Sequence, residues 1–192
     1  MQLRTKTLTI LLLLIAGIAG PTPVLASLDH KMLVEARVRE TIPEARLSGT
    51  GSMRVFGIHI YDARLFVGSD GVSDDLTADQ PYALDLRYAR DFKGAAIAQR
   101  TRKEMERLEL GNNSQRRQWE AALAAIFPDI RKGDHLTGIY RPEGYTEFLK
   151  NGMPIGRIEG AAFAQSFFAI WLHPDSRAPD VRAALLGQAR SL

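Results

Sequence analysis

The closing half of the chain restricts the fold most, because it contains a strong hairpin signal between two strand patterns. Residues 135–141, 145–150 and 153–158 each have the composition of a β-strand. Asn151-Gly152 joins the last two, and both residue types tolerate the positive φ that a two-residue hairpin turn requires. A hairpin connects antiparallel strands, so the sequence predicts an antiparallel sheet in this region.

Two further strand patterns precede this region. Residues 47–67 read as β, with Phe56, Ile58 and Ile60 at alternate positions, so these three side chains are expected on one face. Residues 82–90 give a cleaner pattern, in which tyrosine and leucine alternate with polar residues. Both segments are therefore predicted to join the sheet.

Helical patterns occur in pairs. Apolar stripes run from Ile97 to Leu108 and from Trp119 to Phe127, and Ser114 is the expected N-cap of the second helix. A later pair covers residues 161–172 and a last helix that begins at Pro179. Hairpins and helix pairs, rather than single crossovers, join the strands. This order predicts an α+β fold, with an antiparallel sheet covered by helices on one face, over a doubly wound parallel sheet.

The N-terminus has the three-part pattern of a secretory signal peptide over residues 1–26. A short basic start is followed by an apolar run at 8–20 and by small residues that favour cleavage after Ala26. The run is shorter than the roughly 20 residues of a membrane-spanning helix. We therefore expect export to the periplasm or the medium, no membrane span after cleavage, and one domain over residues 27–192. The start of that domain, residues 27–41, is compatible with a helix or an extended arm.

Composition argues against several classes of function. The formal charge of +3 falls to +1 without the leader, and no basic stripe interleaved with aromatics predicts a nucleic-acid partner. The chain has no Cys, so it has no disulfide and no thiolate chemistry. The four histidines, His30, His59, His135 and His173, lack metal-ligand spacing. We therefore expect neither a metal nor a cofactor.

Two polar residues within the first strand segment are candidates for ligand contact. Arg54 is expected on the face of Phe56 and Ile58, where a buried guanidinium requires an anion or an internal carboxylate. At the start of a strand it could instead reach solvent. His59 is expected beside Tyr61 and could bond a ligand if that face lines a cavity, or could sit on a partly solvated face.

Three segments together resemble chalcone isomerase-like proteins, most closely an exported bacterial branch. They are LSGTGSMRVFGIHIYDARLFV, LRYARDFKGAAIAQRTRKEM and FPDIRKGDHLTGIYRPEGYTEFLKNGMPIGRIEGAAFAQSFFAIWL. The resemblance implies an open-faced β-sandwich with a cleft between the sheet and the helices, in agreement with the α+β prediction. The family it resembles contains two kinds of protein: isomerases that close a flavanone ring, and non-catalytic members that bind fatty acids. The resemblance therefore implies one of these two functions.

The isomerases of this family use an arginine, a strand threonine and a tyrosine near the first sheet-covering helix. By resemblance these fall on Arg54, on Phe56 and near Ile97, so both hydroxyls are missing. The departures favour an exported, non-catalytic binding protein for a fatty acid or similar hydrophobic carboxylate. The alternatives are a cell-envelope structural or interaction protein without a small ligand, and a chalcone isomerase-type intramolecular lyase.

The expected site therefore combines one cation with hydrogen-bonding and aromatic groups. Arg54 would pair with the carboxylate, helped by Tyr61 or His59. The residues expected to line the cleft for the hydrophobic tail are Phe56, Phe163 and Phe167.

Overall fold

The computed structural model describes residues 23–69, 71 and 81–188 of the chain. Most of the expected leader, residues 1–22, lies outside the described residues. Within the described ranges, no helix has both the length and the hydropathy needed to cross a bilayer. The helices and strands, in chain order, are α1 (Pro23–Thr41), β1 (Arg46–Val55), β2 (Ile58–Val67), β3 (Tyr82–Tyr88), α2 (Gly94–Arg107), α3 (Asn113–Ile126), β4 (His135–Arg141), β5 (Tyr145–Lys150), β6 (Met153–Glu159), α4 (Ala161–Leu172) and α5 (Pro179–Leu185).

The six strands form one antiparallel sheet in the order β1-β2-β3-β4-β5-β6, so each strand pairs with its neighbours along the chain. Helices α2 and α3 connect β3 to β4, and α4 and α5 follow β6. The predicted α+β class is confirmed. The predicted turn between β5 and β6 is also confirmed, because Asn151 and Gly152 have φ values of 52° and 81°.

The sheet buries both of its faces. On one face, residues such as Leu84 and Phe148 pack into the larger core beneath the helices that follow β3. On the other, Phe66 and Ile139 pack against α1 through residues such as Val38. The predicted helical layer is therefore present, and the opening segment is a helix that forms a second layer on the opposite face.

The segment 47–67 contains a chain reversal, although its apolar residues alternate as they would in one continuous strand. Val55 pairs with Ile58, and Phe56 and Gly57 form the two-residue turn between β1 and β2 with φ values of 50° and 79°. The prediction that Phe56 continues a strand beside Ile58 is therefore wrong. Gly57 was the available signal, because a two-residue hairpin needs residues at positive φ.

Helix α3 begins earlier than its predicted cap. Asn112, not Ser114, is the N-cap, because its side chain accepts a hydrogen bond from the Gln115 N–H at 2.9 Å. The Gln115 side chain accepts one from the Asn112 N–H at 2.8 Å. This reciprocal capping box satisfies two amide donors that a cap at Ser114 would leave without partners.

Two glycines of β1 allow α5 to pack directly on the strand. A Cβ on Gly49 would overlap the carbonyl oxygen of Ala184, and one on Gly51 would lie 3.1 Å from the Val181 Cα. The Gly49-Thr50-Gly51 sequence therefore serves close packing of a helix on a strand. This contact holds α5 against the edge of the sheet.

A buried carboxylate connects the central strands to α1. Asp85 of β3 is fully buried and accepts hydrogen bonds from Arg64 of β2 at 2.8 and 3.0 Å. From β4, His135 Nδ1 lies 3.0 Å from Asp85 Oδ2 and the Thr137 hydroxyl donates at 2.8 Å. Arg64 also donates to Glu35 of α1 at 2.6 Å. One carboxylate thus fixes the packing of three strands and a helix.

The surroundings of Asp85 favour its charged form. Burial raises the pKa of this carboxyl, but the hydrogen bond and charge of His135 and the charge of Arg64 outweigh that effect and lower it below its ordinary value. A native pKa below the unfolded one stabilises the fold above the unfolded pKa. That contribution is lost as the pH falls through the native pKa.

The substitution Asp85→Asn should lower the free energy of unfolding by about 2–4 kcal/mol at pH 7, because it leaves the Arg64 charge poorly compensated in a buried site. The difference from wild type should shrink as the pH falls from about 4, the unfolded value, through the lower native pKa of Asp85. Urea unfolding between pH 7 and pH 3 measures both effects. Asp62→Asn, a half-exposed carboxylate on the adjacent strand, is the control. Equal stability of the Asp85 variant and wild type at pH 7 would contradict the conclusion that Asp85 stabilises the packing of the three strands and α1.

Candidate ligand-binding site

An apolar cavity of about 500 Å³ lies between the sheet and helices α2 and α4. This volume is within the range of small-molecule binding sites. Strands β1 to β5 supply its floor, and α2, α4 and the loop before α5 supply its walls. Residues of the inner surface include Leu84, Leu86, Phe127, Leu136, Phe148 and Phe167.

The aromatic end of the cavity depends on Gly138 of β4. A Cβ at this position would lie 3.2 Å from a Phe167 ring carbon and 3.4 Å from one of Phe148. The absence of a side chain lets these two rings pack edge to face at 5.1 Å over the strand. Phe163 stacks on Phe167 from behind, at 5.7 Å, and is buried outside the cavity lining.

A charged group that we call the rim cluster lies at the cavity mouth. It comprises Glu104 and the cations Arg100, Lys103, Arg107 and Arg177. Glu104 is only 7% exposed, and its carboxylate lies 2.6 Å from Arg100, 2.9 Å from Arg107 and 3.3 Å from Arg177. Lys103 is exposed and has no ion pair among the described residues. Three arginines at one carboxylate, with Lys103 nearby on the cavity lining, leave an excess of positive charge.

The carboxylate of the rim cluster is held ionised. Burial raises the pKa of Glu104, but the hydrogen bond from Arg107 and the charges of Arg100 and Arg177 together lower it below its usual value. At neutral pH the rim cluster therefore carries three more positive charges than negative ones. A ligand carboxylate at the mouth would meet a favourable potential.

A hydroxyl group is also held at the cavity wall. The Trp171 indole Nε1 donates a hydrogen bond to the Tyr61 hydroxyl oxygen at 2.9 Å. Indole is only a donor, so the Tyr61 proton stays available, and no acceptor for it occurs among the described residues. Burial raises the pKa of Tyr61 to about 12, so the phenol is neutral at physiological pH. Tyr61 can therefore donate to a ligand in the cavity.

The structure places two of the six expected site residues in the cavity wall, Tyr61 and Phe167. Arg54 is exposed outside it, and donates to the carbonyl oxygen of Gly57 at 3.3 Å. Phe56 is fully exposed at the hairpin turn, so it does not line the cleft as expected.

The other two also lie outside the cavity. The ring of His59 lies on Asp62, with Nε2 2.8 Å from the carboxylate oxygen. Phe163 belongs to the second layer behind Phe167. The expected position of His59 beside Tyr61 in a ligand pocket is therefore not found.

The displacement of Arg54 has a local cause. The pairing of β1 with β2 shifts register between Met53 and Arg54, three residues before the hairpin reverses the chain at Gly57. The extra residue of this shift is Ile60 of β2, so the alternation of β1 itself continues and Met53 and Val55 line the cavity with Arg54 between them on the other face. Counting Arg54 on one face with Ile58 fails because the hairpin turn lies between them.

Sequence reasoning missed the rim cluster. Arg100 and Glu104 are spaced i,i+4, which is also typical of any solvated helix surface, so the spacing carried no specific signal. Arg177 reaches the same carboxylate from the loop before α5. Only the packing of that loop against α2 brings these charges together.

The substitution Glu104→Gln should lower the free energy of unfolding by about 1.5–3 kcal/mol at pH 7, because charge-assisted hydrogen bonds are lost. Since the native pKa of Glu104 is lowered, its stabilisation is present above about pH 4.3, the unfolded value, and disappears as the pH falls through the native pKa. Urea unfolding at pH 7 and pH 3 tests this. Glu106→Gln, which breaks an exposed pair on the same helix, should change little at either pH. If the Glu104 variant were as stable as the Glu106 variant, Glu104 would not stabilise the fold as the common partner of the three arginines.

Comparison with known proteins agrees with this architecture. A protein-family model described as chalcone isomerase-like matches residues 31–187 of the chain. Among solved structures, a fatty-acid binding protein of Arabidopsis thaliana aligns with a TM-score of 0.63 at 13% sequence identity, over 75% of this chain and 87% of that one. No curated protein sequence gives a significant match. At this identity the structural likeness establishes a common fold.

Proposed function

The chain belongs to the chalcone isomerase-like family, and we propose that it is an exported, non-catalytic protein that binds a fatty acid or similar hydrophobic carboxylate. One observation carries the proposal: an apolar cavity of about 500 Å³ opens beside a mouth with excess positive charge. A long apolar tail with one negative end matches both parts of this site.

The tail of such a ligand would occupy the aromatic end of the cavity, near Phe148 and Phe167. Transfer of its methylene groups from water into this environment would supply most of the affinity, at about 0.8 kcal/mol per buried CH₂ group. The carboxylate would remain at the mouth, near Arg100 and Lys103. The Tyr61 hydroxyl lies close enough to this cluster for its pKa to respond to Arg100 and Glu104, and would add a neutral donor.

The structural neighbour gives independent support. The Arabidopsis thaliana protein shares the fold over most of both chains and is described as a fatty-acid binding protein. Similar folds can serve different functions, so this support depends on the cavity and the rim cluster found in this chain.

The cavity favours binding over proton-transfer chemistry. Of the positions where the family's isomerases carry hydroxyls, Phe56 lies outside the cavity and Ile97 lines it with an aliphatic side chain. The tyrosines that do line it are Tyr61 and Tyr88, and burial raises the pKa of both. Phenols held neutral in this way are suited to donate hydrogen bonds to a bound ligand.

Fluorescence titration with a dansyl-labelled fatty acid, followed by displacement with palmitate, tests the proposal. Replacing Arg100 and Lys103 together by Met should weaken palmitate binding by about tenfold, because each removes a charge near the carboxylate. Glu104→Gln should tighten it, since it removes the one negative charge of the rim cluster. Hexadecanol, which has no carboxylate, should be insensitive to all three changes.

Arg54→Ala is the matched control, because it removes an arginine that lies outside the cavity. Its palmitate affinity should equal that of wild type. Ile97→Trp should block the cavity and abolish binding. Loss of binding in the Arg54 variant, or unchanged binding in the Ile97 variant, would place the ligand elsewhere.

Export is the second part of the proposal and rests on the leader pattern of residues 1–26. Its cleavage would leave the part of α1 that packs on the sheet intact, since the buried contacts come from Val34 and Val38. Protein recovered from an exporting bacterial host should begin at Ser27, as measured by intact mass and N-terminal peptide mapping. An unprocessed chain retained inside the cell would contradict export without affecting the binding proposal.

A further inference from the structure

We propose that the β1–β2 hairpin tip inserts into the surface of an anionic phospholipid bilayer and sets the cavity mouth against the lipid. We define the tip as Val55, Phe56 and Ile58. The exposed fractions of these residues are 39%, 100% and 48%, and neither hydrophobic core includes any of them. The tip therefore presents three apolar side chains around a single turn.

Phe56 adopts an unfavourable backbone conformation and exposes its ring, and no contact within the described structure compensates for either. Its φ of 50° lies in a region that favours glycine and asparagine over bulky residues. Its ring is fully exposed, so it stabilises no contact of the described molecule in return. Residues that break local preferences without compensation tend to be functional.

Two exposed arginines lie at the same end of the sheet as the tip. Arg54 is exposed beside it, and its guanidinium has no carboxylate partner among the described residues. Arg90 lies at the same end of the sheet, because the Ala89 N–H bonds to the Ile60 carbonyl oxygen at 2.9 Å. Arg90 is also exposed and has no ion pair within the described ranges. An apolar wedge with adjacent cations is the combination that binds anionic bilayer surfaces.

The tip is continuous with the cavity. Val55 belongs to the tip and also lines the cavity, together with Met53 and Ile60. Cations of the rim cluster, such as Arg100 and Lys103, line the same opening. Insertion of the tip would let an acyl chain pass from the bilayer along these apolar side chains while its carboxylate meets the rim cluster. This route rests on the proposed function, whereas the membrane contact itself does not.

A bilayer fits the tip better than a second copy of the chain does. A symmetric contact through the same hairpin would bring Arg54 and Arg90 of one copy towards those of the other. Like charges at such a contact are unfavourable. Anionic headgroups instead compensate these charges while the acyl region accepts Phe56.

A site-specific fluorophore tests the insertion. The chain has no Cys, so Phe56→Cys in the full chain accepts a single nitrobenzoxadiazole label. Glu143→Cys is the matched control, because residue 143 is exposed in the β4–β5 turn at the opposite end of the sheet. With vesicles of phosphatidylglycerol and phosphatidylcholine, emission at position 56 should rise about threefold and shift to the blue, while position 143 changes little. The rise should weaken in about 0.5 M NaCl, since salt screens the headgroup attraction.

A second measurement separates this inference from the proposed function. Phe56→Asn keeps a residue type that accepts positive φ, and should slow transfer of a fluorescent palmitate from vesicles to protein by about tenfold. Its equilibrium affinity for palmitate in solution should be unchanged, because residue 56 lies outside the cavity.

The outcomes are distinguishable. Insertion without palmitate binding would support the membrane contact and reject the proposed ligand. Normal palmitate binding with no emission change at position 56, even when the chain is vesicle-bound, would overturn the membrane contact alone. An emission rise that follows protein concentration without vesicles would assign the tip to self-association and also overturn it.

Discussion

The buried Asp85 carboxylate is the interaction on which the rest of the arrangement depends. It lies in β3, near the middle of the sheet, and its partners come from β2 and β4 on either side. Taking a carboxylate out of water is costly, so the site is stable only with its hydrogen-bond partners in place. The requirement fixes the register of three strands and, through Arg64 and Glu35, the position of α1.

The Asp85 network occupies one face of the sheet, and the cavity forms on the opposite face. The polar contacts and the smaller hydrophobic core under α1 lie on one side of the sheet, and the larger core under the other helices lies on the other. Close contacts around that larger core, such as α5 against Gly49, close the structure at the edges. Gly138 then lets Phe148 and Phe167 shape one end of the cavity without filling it. The buried polar network and the candidate site therefore lie on different faces of one sheet.

The candidate site and the hairpin tip show which side-chain positions can be predicted from sequence patterns and which cannot. Of the residues expected at the site, Tyr61 and Phe167 lie in the cavity wall. Arg54 lies outside the cavity because it alternates with Met53 and Val55 along β1, and Phe56 lies outside it because it belongs to the hairpin turn. The alternation of residues 53–60 looks continuous, and a turn residue at Gly57 was the only local warning.

The sequence by itself determined the class of the fold. Hairpin turns, capping residues and the two periodicities act over a few neighbouring residues, so the strands from His135 onward and the helix Ala161–Leu172 follow from local chemistry. Only the tertiary structure decided where charge meets the cavity. Arg100 and Glu104 lie on α2 and Arg177 lies in the loop before α5, so their contact depends on how that loop packs against α2. Long-range packing has no signature in the spacing of residues along one chain, which is why the rim cluster could not be predicted.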